Sequence, residues 1–336
     1  MELYLDSVRL DEVREANELG FVAGLTTTPT FMYRDGIKDI DKAILEISGL
    51  VNILQIETLG NNSEDIMKEA RRLIDLGLAP QKTVFKIPVS LEGAKACKQL
   101  VDQGLMVNIH LVYTLQQAYV AFCAGATYVC PLVGRLQDQG HDALGLVKQC
   151  VDVADRYGYP TKIMFSSVRH IEHVKNALNI GAHACTAPWS VIKQLTQNYF
   201  TEIGTQQFYG HTALLTTKVA DVTRKDNVFI LASQTVLDAL VQMSTSKLGA
   251  IIVMNDQQEI HRVFTDGDVR RSLQRETRDI LQLRLSELES RIPVSIDSES
   301  ALLDAQHKFA DHKVDNLVVM QDNTPIGILD IHDVIR

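Results

Sequence analysis

Residues 83–112 read TVFKIPVSLEGAKACKQLVDQGLMVNIHLV. A run of β-branched and aromatic residues comes first, an amphipathic stretch that Gly104 ends comes next, and a second apolar run follows. This order is typical of two parallel strands joined by a helix, because parallel strands need a long crossover and glycine commonly ends a helix. The segment therefore predicts one β/α unit of a parallel sheet.

The same alternation continues from the first residue to about Phe208, and Gly77, Gly125 and Gly181 end further predicted helices. Eight such units in roughly 200 residues are near the lower size limit of a closed (β/α)8 TIM barrel. The predicted strands cover residues 2–5, 21–26, 52–57, 83–87, 106–112, 126–129, 162–166 and 182–187.

A duplicated unit follows the barrel. From about Val222 the chain repeats itself at an offset of roughly 66 residues, with Asp268-Val269 matching Asp333-Val334. Each copy is predicted to be helix, strand, strand, helix, and the two should pack together because neither alone buries enough apolar surface. The prediction is an α/β barrel in residues 1–210 and an α+β module in residues 211–336, with copies at about 215–278 and 284–336.

Composition excludes several classes of partner. The chain has 336 residues, 46% hydrophobic and 22% charged, with a formal net charge of −9 at pH 7. It contains no Lys/Arg block, so the basic surface of a nucleic-acid or anionic-membrane binder is missing. No signal peptide and no apolar run of about 18 residues is present. We expect a cytoplasmic protein with no nucleic-acid and no membrane partner.

Missing motifs exclude further kinds of site. The five cysteines have irregular spacings without C-x-x-C, which indicates reduced thiols. His170 and His173 have no acidic pair nearby and no H-E-x-x-H occurs, so no metal site is predicted. Neither a Walker loop nor G-x-G-x-x-G is present, and no cofactor is expected.

Lys86 lies in the middle of the first apolar run quoted above. An uncompensated ammonium in a low-dielectric interior costs several kcal/mol, and a buried lysine is often driven to its neutral form. A neutral amine is the nucleophile that Schiff-base formation with a ketone requires. The alternative is a strand-end lysine whose ammonium reaches solvent.

Active sites of (β/α)8 barrels lie at the C-terminal ends of the strands, so the other candidates are residues at strand ends. Asp6 and Glu57 can supply the proton transfers around an imine, although Asp6 beside Ser7 is equally suited to cap a helix. His110 shares a strand face with Asn108, which would place it near Glu57, where it could hold or activate water. A hydrogen-bonded core histidine is the alternative for His110.

Cationic and hydroxyl side chains follow the later strands. Arg135 comes after the predicted sixth strand, and Ser167 and Arg169 come after the seventh. Guanidinium groups, a hydroxyl and the N-terminus of the next helix suit a phosphate, and phosphate sites in this fold favour the later loops. We therefore expect a phosphorylated small molecule as substrate.

Residues 1 to about 208 resemble the transaldolase family, in particular the short branch that contains fructose-6-phosphate aldolase. The resemblance is carried by LYLD at 3–6, GLTTTPT at 24–30, FKIPVS at 85–90, VNIHLVY at 107–113 and AGATYVCPLVGRLQD at 124–138. It implies that Lys86 is the Schiff-base lysine, Asp6 the acid/base catalyst and Glu57 the carboxylate that helps to hold the catalytic water. It also implies that Arg135 and Ser167 bind phosphate.

The resemblance also implies that Asn108 lies in the substrate pocket, and three positions depart from the family. Where the family has TTNP, the chain has Thr27-Thr28-Pro29 and lacks an asparagine that contacts substrate hydroxyls, which leaves Thr28 as the binding candidate. His110 replaces a threonine that helps to hold water, and Leu132 stands where relatives carry Tyr or Phe. Because hydrogen bonds to particular hydroxyls discriminate strongly, we do not expect the ordinary sedoheptulose/fructose substrate pair.

Residues 211–336 resemble a tandem pair of cystathionine-β-synthase-type (CBS) domains, through VFTDGDVR at 263–270 and GILDIHD at 327–333. The run FTDGD-x-RR is similar to the CBS pair of arabinose-5-phosphate isomerases. The resemblance implies that Thr265 and Asp268 bind the ribose and phosphate of a nucleotide, with Asp330 and Asp333 at the corresponding positions of the second copy. A dimerisation plate is the alternative role.

The sequence thus predicts a lysine-dependent aldolase or transaldolase acting on phosphorylated sugars, with a nucleotide or nucleotide-sugar effector at the CBS pair. The isomerase-like tail suggests a role in making a surface-polysaccharide sugar, and relatives of both halves lead us to expect a homo-oligomer. The main alternative is a non-catalytic regulator that binds a sugar phosphate without turnover. An isomerase is disfavoured because that resemblance is confined to the tail.

Overall fold

The computed structural model describes residues 1–275 and 280–334, which divide into two compact units, Met1–Gln197 and Asn198–Arg336. The predicted ends of the two C-terminal copies, residues 278 and 336, lie outside the described residues. The domain boundary that the sequence places at residue 210 falls inside a continuous helix, Tyr199–Thr216, at the start of the second unit.

Unit 1 is a closed barrel of eight parallel strands in sequential order, and the first strand pairs with the second and the eighth. The strands are β1 (Glu2–Asp6), β2 (Gly24–Thr26), β3 (Leu54–Glu57), β4 (Thr83–Pro88), β5 (Met106–Val112), β6 (Tyr128–Pro131), β7 (Lys162–Phe165) and β8 (Ala184–Ala187). The predicted (β/α)8 barrel is confirmed. β2 begins later than predicted because Phe21 is exposed to solvent and does not join the sheet.

Helices surround the barrel. They are α1 (Leu10–Glu18), α2 (Pro29–Arg34), α3 (Ile40–Ser48), α4 (Ser63–Asp75), α5 (Leu91–Asp102), α6 (Leu115–Cys123), α7 (Val133–Gln137), α8 (Ala143–Tyr157), α9 (Ile171–Ile180) and α10 (Trp189–Ile192). Side-chain caps start several of them, as where Ser90 accepts from the backbone N–H of Gly93 at α5. Gly104 and Gly125 adopt positive φ just after α5 and α6, so the predicted helix ends are confirmed there.

The N-terminal end of the barrel interior is filled by polar aromatic side chains. The hydroxyls of Tyr4 and Tyr128 lie 2.9 Å apart, and Tyr128 donates to Glu2 Oε2 at 3.1 Å. Lys162 donates to the other oxygen of Glu2. Tyr4 and Tyr128 are both buried, so these side chains close the barrel at that end.

Unit 2 contains two three-stranded sheets, β11-β10-β9 and β12-β13-β14. Its elements are α11 (Tyr199–Thr216), α12 (Val219–Val222), β9 (Phe229–Leu231), α13 (Val236–Ser246), β10 (Ala250–Met254), β11 (Ile260–Thr265), α14 (Asp266–Arg275), β12 (Ser295–Asp297), α15 (Leu302–His312), β13 (Asn316–Gln321), β14 (Thr324–Asp330) and α16 (Ile331–Val334). Each copy has the predicted helix, strand, strand, helix order, preceded by a short parallel strand that the sequence pattern missed.

The two copies of unit 2 pack together, as the repeat predicts. One apolar cluster contains Ile252 of the first sheet and Val318 and Ile328 of the second, and all three are fully buried. Arg224 and Ile328 exchange backbone hydrogen bonds between the copies. All five cysteines of the chain are free thiols. Within residues 1–275 and 280–334, no helix combines the length and apolar character needed to cross a membrane.

Gly24 provides a test of barrel packing. A Cβ there would stand 2.3 Å from the carbonyl oxygen of Ile53 and 2.9 Å from Tyr4 Cε1. Because a packed interior cannot absorb this overlap, we expect Gly24→Ala to lower the free energy of unfolding by about 3 kcal/mol. Urea unfolding followed by the fluorescence of Trp189, the single tryptophan, measures the change.

Gly49→Ala is the matched control, because the nearest atom to its Cβ would be the carbonyl oxygen of Glu46 at 3.5 Å, an ordinary contact. It should change stability by less than about 0.5 kcal/mol. Equal effects of the two substitutions would contradict the packing described at Gly24.

Candidate active site

The C-terminal ends of the barrel strands open into a cavity of about 890 Å³. Eight of the nine site residues predicted in the barrel line it: Asp6, Thr28, Glu57, Lys86, His110, Arg135, Ser167 and Arg169. The ninth, Asn108, is fully buried and is not part of the cavity wall. Its side chain donates to Gln55 Oε1 at 2.6 Å, so the structure places Asn108 in the barrel core rather than in the predicted pocket.

Lys86 is only 4% exposed, so its ammonium does not reach solvent as the alternative interpretation required. Its Nζ lies 3.0 Å from Glu57 Oε1 and donates to the carbonyl oxygen of Thr27 at 2.8 Å. The cost of burying the ammonium is offset here, because β3 supplies a carboxylate directly opposite Lys86 in the sheet register. The amine is buried, paired and in contact with the cavity.

Glu57 also contacts His110, as the strand pattern predicts. His110 Nε2 lies 2.8 Å from Glu57 Oε2, and both side chains are buried. Burial alone would raise the pKa of Glu57, but His110 and Lys86 outweigh it and hold the pKa below its ordinary value. Burial lowers the pKa of His110 despite the neighbouring carboxylate. At neutral pH the carboxylate is therefore ionised and the imidazole is neutral.

Asp6 ends β1 and does not cap a helix. Arg9 precedes α1 without any side-chain cap, and Asp6 Oδ1 instead accepts from Thr26 Oγ1 at 2.8 Å. Thr26 Oγ1 lies 2.6 Å from Thr186 Oγ1, so a short row of hydroxyls holds the carboxyl. Burial raises the pKa of Asp6, although Lys86 and Thr26 act in the opposite direction. Sequence reasoning missed both threonines, although Thr26 is the last residue of one predicted strand and Thr186 the next-to-last residue of another.

The phosphate-binding candidates lie on two segments in close contact, α7 and the β7–α9 loop. A Cβ on Gly134 would stand 2.1 Å from the carbonyl oxygen of Ser167, so only glycine allows this approach. Ser167 itself has a φ of 60°. Arg135 Nη1 donates to Tyr113 Oη at 3.0 Å and contacts no carboxylate in the described parts of the chain. Arg169, by contrast, is paired with Asp138 at 2.7 Å.

Two polar residues of the cavity wall, Thr28 and Arg34, add to this arrangement. Thr28 Oγ1 is buried and has no hydrogen-bond partner among residues 1–275 and 280–334. Arg34, at the end of α2, lines the wall and is among the charges that act on Asp6. Arg34 was missed because the search covered only the strand ends and the residues just after them. An amphipathic reading of α2 could have found it.

In the first copy of unit 2, Thr265 and Asp268 bind each other at the start of α14. Asp268 Oδ2 accepts from the backbone N–H of Thr265 at 3.0 Å and from its hydroxyl at 3.1 Å. Asp268 Oδ1 lies 2.9 Å from Arg262 Nη2 and 2.8 Å from Arg271 Nη2. A carboxylate has about four lone-pair sites, so a ribose hydroxyl would have to displace one of these donors.

In the second copy the corresponding aspartate is also paired. Arg224 binds Asp333 with two hydrogen bonds of 2.8 and 2.6 Å. Asp330 accepts from the backbone N–H of His332 at 2.9 Å. Both copies therefore hold an arginine against the aspartate of the motif. As for metals, the described ranges contain no group of three or more His, Cys, Asp or Glu side chains that could hold an ion.

Residues 3–246 match the protein family described as Transaldolase/Fructose-6-phosphate aldolase. The chain belongs to this family. Residues 219–275 and 285–336 match the CBS domain, so the duplicated unit is a tandem CBS pair. Thr28, His110 and Leu132, the three positions where the resemblance implied departures, all lie in the cavity wall of this transaldolase-family barrel.

Among the relatives is a probable transaldolase from Desulforudis audaxviator, 39% identical over 216 residues, or 64% of this chain and 99% of the relative. Another, from Desulforamulus reducens, is 37% identical over 219 residues, or 65% of this chain and 100% of the relative. A CBS-domain containing protein of known structure from Agrobacterium tumefaciens covers 35% of this chain and 90% of its own, at 19% identity and a TM-score of 0.33. The two transaldolase-family relatives thus have no counterpart for the rest of this chain.

Asp6 gives a prediction about pH and stability in this transaldolase-family barrel. A carboxyl whose pKa is higher in the folded than in the unfolded chain binds its proton more tightly when folded, so stability is lost as pH rises through the folded pKa. Asp6→Asn has no titrating group, so it does not lose stability in this way as pH rises, and its amide oxygen can still accept from Thr26. We expect Asp6→Asn to have a higher thermal midpoint than wild type at about pH 8, and no advantage at about pH 3.

Differential scanning calorimetry across this pH range measures the effect. Asp11→Asn, a change at an exposed carboxylate paired with Arg9, is the control and should show no such gain. A lower midpoint for Asp6→Asn at the higher pH would contradict the assignment of Asp6 as a buried acid with a raised pKa.

Proposed function

We propose that the protein is a lysine-dependent aldolase or transaldolase that forms or cleaves a carbon–carbon bond in a phosphorylated sugar. The observation that carries the proposal is the buried amine of Lys86, which lies between Glu57 and the carbonyl oxygen of Thr27 at an open cavity. A buried amine next to a proton acceptor is what imine formation with a ketone requires.

The first step is attack of the Lys86 amine on the ketose carbonyl. The ammonium must first lose a proton, and Glu57 Oε1 at 3.0 Å is the nearest carboxylate oxygen to receive it. The addition product then takes this proton back from Glu57 on its former carbonyl oxygen and loses that oxygen as water, which leaves an iminium ion. We assign His110, neutral and 2.8 Å from Glu57, to hold that water and to activate it again when the imine is hydrolysed.

Asp6 is suited to the proton transfer that accompanies bond cleavage. It takes the proton from the hydroxyl group adjacent to the breaking bond, the electron pair of that bond moves into the iminium, and an aldehyde leaves. Burial raises the pKa of Asp6 above its ordinary value, which makes its carboxylate a stronger base. The resulting enamine either adds to a second aldehyde or is protonated and hydrolysed.

The phosphate of the sugar is assigned to Arg135, Ser167 and Arg169. Arg135 supports this assignment because it has no carboxylate partner in the described ranges and lies in the cavity wall. A guanidinium can bind a phosphate through two parallel hydrogen bonds. Thr28, with its unpartnered hydroxyl oxygen, is assigned to a sugar hydroxyl.

Borohydride trapping tests the Schiff base. When the full chain is incubated with a ketose phosphate and reduced, we expect a mass adduct on Lys86, located by peptide mass spectrometry. Lys86→Met should abolish both the adduct and aldol product formation. Lys82→Met, at an exposed lysine just before β4, is the matched control and should keep both.

No adduct on wild type with any ketose phosphate would refute the enzymatic proposal. Binding of a sugar phosphate without an adduct would instead support the non-catalytic regulator. An adduct on Lys82 or on a surface lysine, with Lys86 unmodified, would count against the assignment of the nucleophile.

We further propose that the CBS pair senses a nucleotide or nucleotide sugar, and that Arg271 exchanges Asp268 for the phosphate of this ligand. The support is the exposure of Arg271, which is 54% while its partner carboxylate is only 10% exposed. The likeness of the tail to the isomerase CBS pair motivates a surface-polysaccharide nucleotide sugar as the effector. In that case the barrel would supply a precursor of this sugar.

Thermal-shift measurements test the effector. A ligand at about 100 times its dissociation constant adds about 2.7 kcal/mol to stability, so a saturating nucleotide or CMP-sugar should raise the midpoint of unit 2 by several degrees. Arg271→Gln should remove the shift. Arg291→Gln, a change at an arginine that is 55% exposed and paired with Glu289, is the control and should keep it. No shift with any nucleotide would favour the dimerisation plate.

A further inference from the structure

One buried histidine, His173, joins the two segments that carry the phosphate-binding candidates. Its ring lies on α9 and is 2% exposed. Nδ1 accepts a hydrogen bond from the backbone N–H of Arg169 at 3.2 Å, and Nε2 lies 2.7 Å from Gln137 Oε1. Arg169 belongs to the β7–α9 loop with Ser167, whereas Gln137 ends α7, the helix that carries Arg135. The ring therefore bridges both segments.

The two contacts specify the protonation state of the ring. Because the backbone N–H of Arg169 is a donor, Nδ1 must present a lone pair, and Nε2 then carries the proton and donates it to Gln137. A proton on Nδ1 would point at the N–H of Arg169, and two donors cannot form a hydrogen bond with each other. Burial lowers the pKa of His173, the charges of His170 and Arg169 act in the same direction, and Asp138 opposes them.

The first residue of α7, Val133, donates its backbone N–H to the carbonyl oxygen of Ser166 at 3.1 Å, so the two segments are also hydrogen-bonded where they begin. Towards Arg169, the other ties between the segments are weaker or less directional. The ion pair of Arg169 with Asp138 is more than half exposed on both sides, and exposed pairs contribute little because water screens them. The close approach of Gly134 to Ser167 is a steric contact, which stops the two segments from moving closer but does not stop them from moving apart. The hydrogen bonds of His173 are buried, so they resist displacement in both directions.

We propose that His173 is a positioning residue that sets the distance of Arg135 from Ser167 and Arg169, and thereby the preference for phosphorylated over unphosphorylated substrates. The proposal rests on the phosphate site proposed above. His173 is not part of the cavity wall, so it acts only through the two segments that it joins. Binding of one phosphate by groups from two segments depends on their spacing, and an error of about 1 Å can cost a factor of about 100.

Kinetics of two aldehydes test the proposal in the full chain. His173→Gln carries both of its polar atoms at ε positions, so it has no acceptor where Nδ1 meets the N–H of Arg169, and Gln137→Leu removes the bridge from the other side. Both variants should raise KM for glyceraldehyde 3-phosphate about tenfold, which corresponds to about 1.4 kcal/mol of binding free energy. For glyceraldehyde, both kcat and KM should stay within about twofold of the wild-type values. His170→Gln, at the exposed neighbouring ring, should leave both aldehydes unchanged.

Phosphate binding gives a readout that needs no turnover. By calorimetry, inorganic phosphate should bind wild type about tenfold more tightly than His173→Gln. If wild type forms no imine with any donor, the proposed function fails, while the phosphate affinities still decide the role of His173. The ring 15N shifts of His173 in wild type should show the tautomer protonated at Nε2.

Several results would overturn the proposal. One is an equal rise in KM for both aldehydes in His173→Gln, and another is a lower thermal midpoint of this variant with an unchanged preference for the phosphorylated aldehyde. The others are a His173 ring protonated at Nδ1 and a wild type that binds no inorganic phosphate. Identical behaviour of His170→Gln and His173→Gln would also overturn it, because only His173 makes the two bridging hydrogen bonds.

Discussion

The pairing of Lys86 with Glu57 inside the barrel is the interaction on which the candidate site depends. The two residues face each other in the register of β3 and β4, and the carboxylate is shared with His110 on the next strand. Removing one partner of a buried ion pair typically costs about 3–5 kcal/mol, because the other charge stays buried alone. Lys86 is therefore retained in the core only together with Glu57, and the same carboxylate keeps the imidazole close by.

The sequence predicted the barrel because its strands and helices repeat one pattern. The run around Lys86 is long enough for a period to be visible, and glycine ends the helix that follows. The strands β9 and β12 escaped detection for the opposite reason, since each has only three residues and three residues show no period. Phe21 was assigned to a strand from its β propensity, although propensity does not report exposure.

The site was predicted less completely than the fold. Asp6, Glu57 and Lys86 were found because topology alone places strand ends around one opening. Asn108 was placed in the pocket from the family likeness, but alternation along a strand gives the face and not the depth, and Asn108 lies in the core. The carboxylate partner of Lys86 could not be predicted either, because register between strands is a property of the closed sheet.

The closed N-terminal end of the barrel has a consequence for the partition of the reaction. Tyr4, Tyr128, Glu2 and Lys162 fill that end with hydrogen-bonded side chains. In the proposed mechanism, the water that hydrolyses the imine and the aldehyde that accepts the carbon fragment would therefore both enter through the cavity at the opposite end. An acceptor seated at the mouth would keep solvent away from the bound intermediate. Choice between release and transfer of the fragment would then follow from the residence time of the acceptor.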